Sequence, residues 1–318
     1  MKAFQKKSSV SSGPVSFRAA LKKDLKKNSF AYLLIVPVLL WYLVFCYAPM
    51  WGILLSFKDY KPLLGFAGSK WVGLKHFRYF FNSVQFKMLM ENTVKISVYS
   101  LLAGFPFPIL LALLLNESRH LRLKKAVQTL TYAPYFISTV VLVSMLSLFL
   151  SPSTGVVNKL ITFFGGTPVD FMGRADLFRP VYVISGIWQG TGWSSIIFIA
   201  ALAGIDPQLH EAAEIDGANR LQRIWHINLP GILPTAVIMF ILNCGSIMSV
   251  GFEKAFLMQN SMNQSASEII ATYVYKMGIQ KAQYSYTTAI GLFNSLINIA
   301  LLLIVNRISK KAADISLF

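Results

Sequence analysis

Charged residues are scarce in this sequence, and acids are the scarcest of them. Asp, Glu, Lys and Arg make up 14% of the 318 residues, with 13 acids against 30 bases. Six stretches hold none at all: Phe30–Phe57, Ile96–Leu115, Ala126–Leu150, Pro180–Ile205, Gly231–Phe252 and Ala282–Asn306. Transmembrane proton and ion relays run on carboxylates, lysines or histidines inside the membrane, so their absence from these stretches argues against a self-energised pump. The two cysteines, Cys46 and Cys244, lie inside apolar stretches without metal-ligand spacing and say nothing about redox compartment. A GxxxxGK[ST] phosphate loop is missing, which excludes ATP hydrolysis by that route. A small-residue cleavage site after the first apolar stretch is also missing. That stretch is far longer than the apolar part of a secretory signal, so it is retained. Neither a tandem repeat nor an inverted symmetry of halves is evident, unlike in many secondary transporters.

What the sequence has is apolar length. Hydrophobic residues account for 55% of it and the mean hydropathy is +0.55, which points to a bilayer. A hydrocarbon core of about 30 Å takes about 20 helical residues, so each uncharged stretch is long enough to cross once. Barrel strands alternate over about ten residues and do not give continuous apolar runs. The fold class is therefore an all-α membrane bundle with six spanning helices. The net charge of +17 is assigned to lipid headgroups ahead of nucleic acid.

Basic residues set the orientation. Lys2, Lys6, Lys7, Arg18, Lys22, Lys23, Lys26 and Lys27 precede the first stretch, and Arg119, Arg122, Lys124 and Lys125 follow the second. The positive-inside rule places both groups in the cytoplasm, and six crossings return Arg307, Lys310 and Lys311 to the same side. The connection from Lys58 to Glu91 carries six more bases and falls outside, against the rule. Residues 1–29 form a basic segment in which Phe17, Leu21 and Leu25 share one side of a helix. It either anchors on the cytoplasmic leaflet or binds a partner. Residues 30–318 form the membrane domain.

One polar interruption stands apart, within residues 205–230. Pro207 to Asp216 is expected as a helix with Leu209, Ala212, Ala213 and Ile215 on its apolar side and Glu211 and Glu214 in solvent. Gly217 ends it in a left-handed conformation. A second helix, Asn219 to Asn228, carries Leu221, Ile224 and Trp225, and Pro230 with Pro234 restarts the chain into the membrane. His210 to Glu214 reads HEAAE, a near miss to HExxH in which Glu214 replaces the second zinc-binding imidazole; no metal site is assigned.

Glu211, Ala212 and Ala213, then Asp216, Gly217 and Ala218, then Ile227, Leu229 and Pro230 resemble the EAA loop of binding-protein-dependent ABC importer membrane subunits. TYAPYFIS, GVVNKLI and WQGTGW are similar to the maltose-type permeases for sugars. SEIIATYVYKMGIQ and AQYSYTTAIGLFNS are similar to the subgroup that takes up complex or acidic oligosaccharides. The resemblance implies a type I importer (MetI-like) bundle in the bacterial cytoplasmic membrane, with both termini cytoplasmic. It implies a second homologous permease as heterodimer partner, an ABC ATPase dimer that binds ATP and Mg, an extracytoplasmic solute-binding protein, an oligosaccharide substrate, and no cofactor or catalysis in this chain. The loop becomes a coupling helix docked on the ATPase. In it Glu211 pairs with an ATPase arginine, Ala213 permits close approach and Gly217 makes the turn.

Sugars are held by aromatic faces and neutral hydrogen-bonding groups, which WQGTGWSS supplies. By resemblance Gln189, Gly190 and Trp193 fall on the substrate pathway. So do Asn243, Ser246 and Ser249, spaced by three along one helix side, and Phe252 and Glu253 after them. Helix packing is the competing role for each of these, and Tyr132 and Tyr135 around Pro134 are read as packing or hinge residues. Lys58, Lys61, Lys70, Lys75 and Arg78 favour an anionic substrate, an acidic docking surface or headgroup contact. Competing functions are a secondary transporter or channel, a membrane scaffold, and an ABC importer for a non-sugar solute.

Overall fold

The computed structural model describes residues 24–317. The expected interfacial helix through Phe17 and Leu21, and the bases from Lys2 to Lys23, lie outside the described residues. The chain divides into two units, Met1–Leu54 and Leu55–Phe318. In the first, α1 (Ser29–Tyr42) passes through a π turn, Leu43–Tyr47, into a 3-10 stretch, Ala48–Phe57, whose last three residues belong to the second unit. Pro49 has no N–H to donate, and it sits where the helix tightens. The whole apolar length, Ser29–Phe57, is long enough to span a bilayer.

The second unit starts with a two-stranded ribbon, β1 (Lys58–Asp59) against β2 (Lys70–Trp71), and the short helix α2 (Lys75–Phe81). The second span joins α3 (Val84–Gly104) to α4 (Pro106–Glu117). It begins at Val84, ahead of the uncharged stretch, because Glu91 and Lys95 pair one turn apart on an exposed side and Lys87 extends the same helix.

The third stretch is a broken span. Helices α5 (Leu121–Tyr132) and α6 (Thr139–Phe149) meet at 102° on either side of Pro134. A break inside a membrane frees backbone groups that need partners. Here the Gln189 side chain donates to the Ile137 carbonyl at 2.9 Å, and the Ser138 hydroxyl caps α6 by accepting from the Val141 N–H at 3.4 Å.

After α7 (Val156–Phe163), α8 (Ala175–Ala203) is the fourth span and the centre of the unit. Its Phe178, Tyr182 and Val183 pack with Ile96, Ala255, Met258 and Ile269, and its Phe198 and Leu202 pack with Ala112, Leu113 and Ile232. Helices in lipid associate through small residues that let backbones touch. Gly192 is such a point: a Cβ there would lie 2.0 Å from the Thr131 carbonyl oxygen of α5.

Beyond α8 come α9 (Pro207–Ile215), α10 (Arg220–Arg223), a π turn Ile224–Asn228 and α11 (Leu229–Gly245). The second loop helix and the fifth span are thus one continuous apolar length, Arg220–Gly245, and Pro230 does not restart the chain. The π turn accommodates the proline: the Leu229 N–H reaches back five residues to the Ile224 carbonyl. Short helices α12 (Phe252–Met258) and α13 (Ile270–Tyr275) follow, then the last span, α14 (Tyr284–Ala313). Among the described residues five continuous lengths meet the requirement for crossing, and the bent pair, taken as one span, brings the number to six.

Candidate functional site

The expected helix through Asn243, Ser246 and Ser249 ends at Gly245, which leaves both serines on non-helical backbone. The last span supplies the missing partners. Asn298 accepts from the Met248 N–H at 3.0 Å and donates to the Ser249 hydroxyl at 3.0 Å, and Asn294 donates to the Met248 carbonyl at 3.4 Å. Although one helix face does not hold them, Asn243, Ser246 and Ser249 still line a single cavity of about 350 Å³. Irregular backbone at membrane depth is tolerated where it borders such a cavity.

A second cavity of about 350 Å³ contains Gln189, Gly190, Thr191 and Lys254 in its wall. The two share Ser100, Gly104, Pro108, Tyr182 and Ser194, so they form one cleft between α3–α4, α8 and the end of α11. Its polar groups are hydroxyls and amides, with Lys254 as the one charged side chain in the lining. The other expected pathway residues lie elsewhere. Trp193 stacks on Tyr135 with centroids 4.6 Å apart and planes at 4°, bracing the broken span. Phe252 packs against Phe256 and Tyr275. Glu253 is exposed, while its neighbour Lys254 is buried.

The polar loop is built from local bonds. Asp206 caps α9 by accepting from the Gln208 N–H at 3.0 Å, and Pro207 takes the first helical position. At the far end Gly217 adopts φ of 76°. The Ala218 N–H bonds the Ala213 carbonyl at 2.8 Å and the Gly217 N–H bonds the Glu214 carbonyl at 3.1 Å, the double closure of a Schellman turn. That accounts for the Gly217–Ala218 pair. Asn219 and Gln222 then form a reciprocal capping box at 3.0 and 2.7 Å.

Glu214 stands in solvent as expected, its side chain 62% exposed, and there it pairs across the turn with Arg223. Asn228, fully buried at the foot of the loop, donates to Glu117 at 3.0 Å and ties the loop to the end of α4. Glu211, Ala212, Asp216 and Pro230 are exposed, and Glu211 enters none of the ion pairs formed among the described residues. Three of the apolar side chains assigned to the helices point outward, Ile215 at 87% exposed, Leu221 at 68% and Trp225 at 65%, while Ile224 packs with the Phe198, Leu202 and Ile232 cluster. Ala213, Asp216, Gly217 and Ala218 border a groove of about 300 Å³ with Arg223 and His226. Among the described residues no cluster of His, Cys, Asp or Glu is placed to hold a metal ion.

The cations between the first and second spans are partly engaged. Lys58 donates to the Phe66 carbonyl at 2.7 Å and lies over its ring, and Lys75 sits 3.7 Å from Asp59.

Residues 104–314 match the family model described as binding-protein-dependent transport system inner membrane component. Protein LplB of Bacillus subtilis is 47% identical over 96% of this chain and 94% of its own length. The polygalacturonan/rhamnogalacturonan transport system permease protein YteP of the same organism is 44% identical over 93% and 92%. A bacterial alginate ABC transporter, solved in complex with an alginate pentasaccharide-bound periplasmic protein, superposes with a TM-score of 0.86 at 39% identity. It covers 93% of this chain and 99% of the solved one.

Proposed function

This chain belongs to the binding-protein-dependent transport system inner membrane components, non-catalytic permease subunits of ABC importers, and from that premise we propose that it carries acidic oligosaccharides through the membrane. Polygalacturonan and alginate, named for its relatives, are both chains of uronic acids. The observation that carries the reading is the cleft: hydroxyl and amide groups from three helices, no acid, and one buried cation line two adjoining cavities of about 350 Å³ each.

The cleft is one wall of the pathway, and a homologous permease supplies the other. Both termini lie in the cytoplasm. There an ATPase dimer binds ATP and Mg and receives the exposed loop, with Ile215, Leu221 and Trp225 as its apolar contact and Glu211 as the charge facing an ATPase arginine. A solute-binding protein delivers the sugar from the other side. Closure of the ATPases moves the loop as a rigid lever, because its Schellman turn, capping box and Glu214–Arg223 pair fix α9 against α10. The Asn228–Glu117 contact passes the motion to the second span.

Uptake of labelled galacturonate oligomers, measured in cells carrying the importer with and without this chain, tests the substrate. The expected outcome is uptake that requires both the chain and ATP. Uptake of neutral oligosaccharides with galacturonates excluded contradicts the proposal.

A further inference from the structure

The cleft contains a charge that transport by packing alone does not call for. Lys254, on α12, is only 9% exposed. Its ammonium donates to the Tyr182 carbonyl at 2.8 Å and lies 4.6 Å from the centre of the Tyr182 ring. None of the ion pairs among the described residues includes it. An ammonium has three donors, and a buried one without a counter-charge is costly and marks a functional position inside a membrane protein. The space around it is kept open by Gly186, where a Cβ would come within 3.3 Å of the nitrogen. Gln189, Thr191 and Ser194 share the same wall.

We propose that Lys254 is the specificity-determining cation of the pathway, which takes the carboxylate of a passing uronate residue while the neutral groups beside it take the hydroxyls. The inference rests on the acidic-oligosaccharide reading above. The geometry suits transit more than storage. The Tyr182 carbonyl and ring hold the ammonium between substrates, so a carboxylate exchanges with partners already present and is not trapped. A lysine offers a point charge without the bidentate fork by which an arginine holds a carboxylate. Glu253, the adjacent residue on the same helix, is turned out of the cleft and does not neutralise it.

The test uses the whole importer in proteoliposomes, with its partner permease, ATPases and binding protein. Uptake of a galacturonate trisaccharide is compared with uptake of the same trisaccharide carrying methyl esters on some of its carboxylates. Lys254→Gln keeps a donor for the Tyr182 carbonyl and removes the charge. It is expected to lower uptake of the free acid by about tenfold or more, the loss typical of a charged hydrogen bond, and to abolish the preference over the ester. Lys254→Arg is expected to keep that preference. Ser194→Glu, which adds a carboxylate to the cleft wall from an exposed position, gives a second variant and is expected to lower free-acid uptake selectively. If wild type prefers the free acid and both Lys254→Gln and Ser194→Glu leave the ratio unchanged, the role of Lys254 is overturned and the substrate reading stands. If wild type takes up neither trisaccharide, the substrate reading fails, and the role of Lys254 fails with it.

Discussion

The polar loop and the membrane cleft solve the same problem, unsatisfied backbone groups at the ends of helices, in opposite ways. In the loop every closure is local: Asn219 and Gln222 are three residues apart, and Ala218 bonds back to Ala213. In the cleft the partners come from far along the chain. Gln189 mends the break at Ile137 across 52 residues, and Asn298 serves Met248 across 50. Water satisfies loose ends in the loop, so it needs only short bonds to stay rigid. At membrane depth no water competes, and each break binds two spans together. The loop is held as a piece by its own bonds, whereas the cleft is held by bonds from one span to another.

That contrast sets an order of effects. The largest is expected at a non-local contact. Gly192→Val places a branched side chain where a single Cβ already lies 2.0 Å from the Thr131 carbonyl. Overpacking of this kind costs about 3 kcal/mol or more. The melting temperature of the purified complex should fall sharply and little folded permease should be recovered; an unchanged melting temperature would mean that α5 and α8 do not pack as described. A local turn should show less. Gly217→Val puts a branched residue at φ of 76°, at a cost of about 1–2 kcal/mol. Membrane insertion and thermal stability should stay near wild type while uptake falls, as a bent lever no longer seats on the ATPase. A loss of insertion would show that the turn serves folding instead. The smallest effect belongs to Gln222→Ala, which removes half of the capping box for about 1 kcal/mol. Uptake assays should detect a modest decrease at wild-type expression, and none if α10 is held only from the membrane side.

The same distinction explains what was legible beforehand. The loop motif is readable because its bonds join residues a few positions apart, so spacing alone carries Gly217 as the turn and Pro207 as the first helical residue. The pairing of Glu214 with Arg223 is less visible, since it depends on the angle between two helices. In the membrane, uncharged length predicts where helices lie, but it misses the start of the second span at Val84 and the continuity of Arg220–Gly245. A salt-bridged pair and a π turn extend those helices beyond the apolar runs. Helical spacing through Asn243, Ser246 and Ser249 leads to the right cavity by the wrong geometry, because side chains of the last span stabilise a break that no local pattern announces. Lys254 lies two positions beyond an uncharged stretch. Only the return of α12 against α8 shows that it, and not Glu253, lines the cleft.

The most direct test of the central claim, that the exposed loop couples this chain to its ATPase, is co-purification. Tagged wild type and Glu211→Arg are extracted gently from their native membrane, and the proteins that accompany each are identified by mass spectrometry. Recovery of an ATPase and a second permease with wild type, with the ATPase lost or reduced in the variant and the second permease retained, is the predicted result. Equal recovery of the ATPase with both, or wild type emerging alone under conditions in which importer complexes survive, would contradict it.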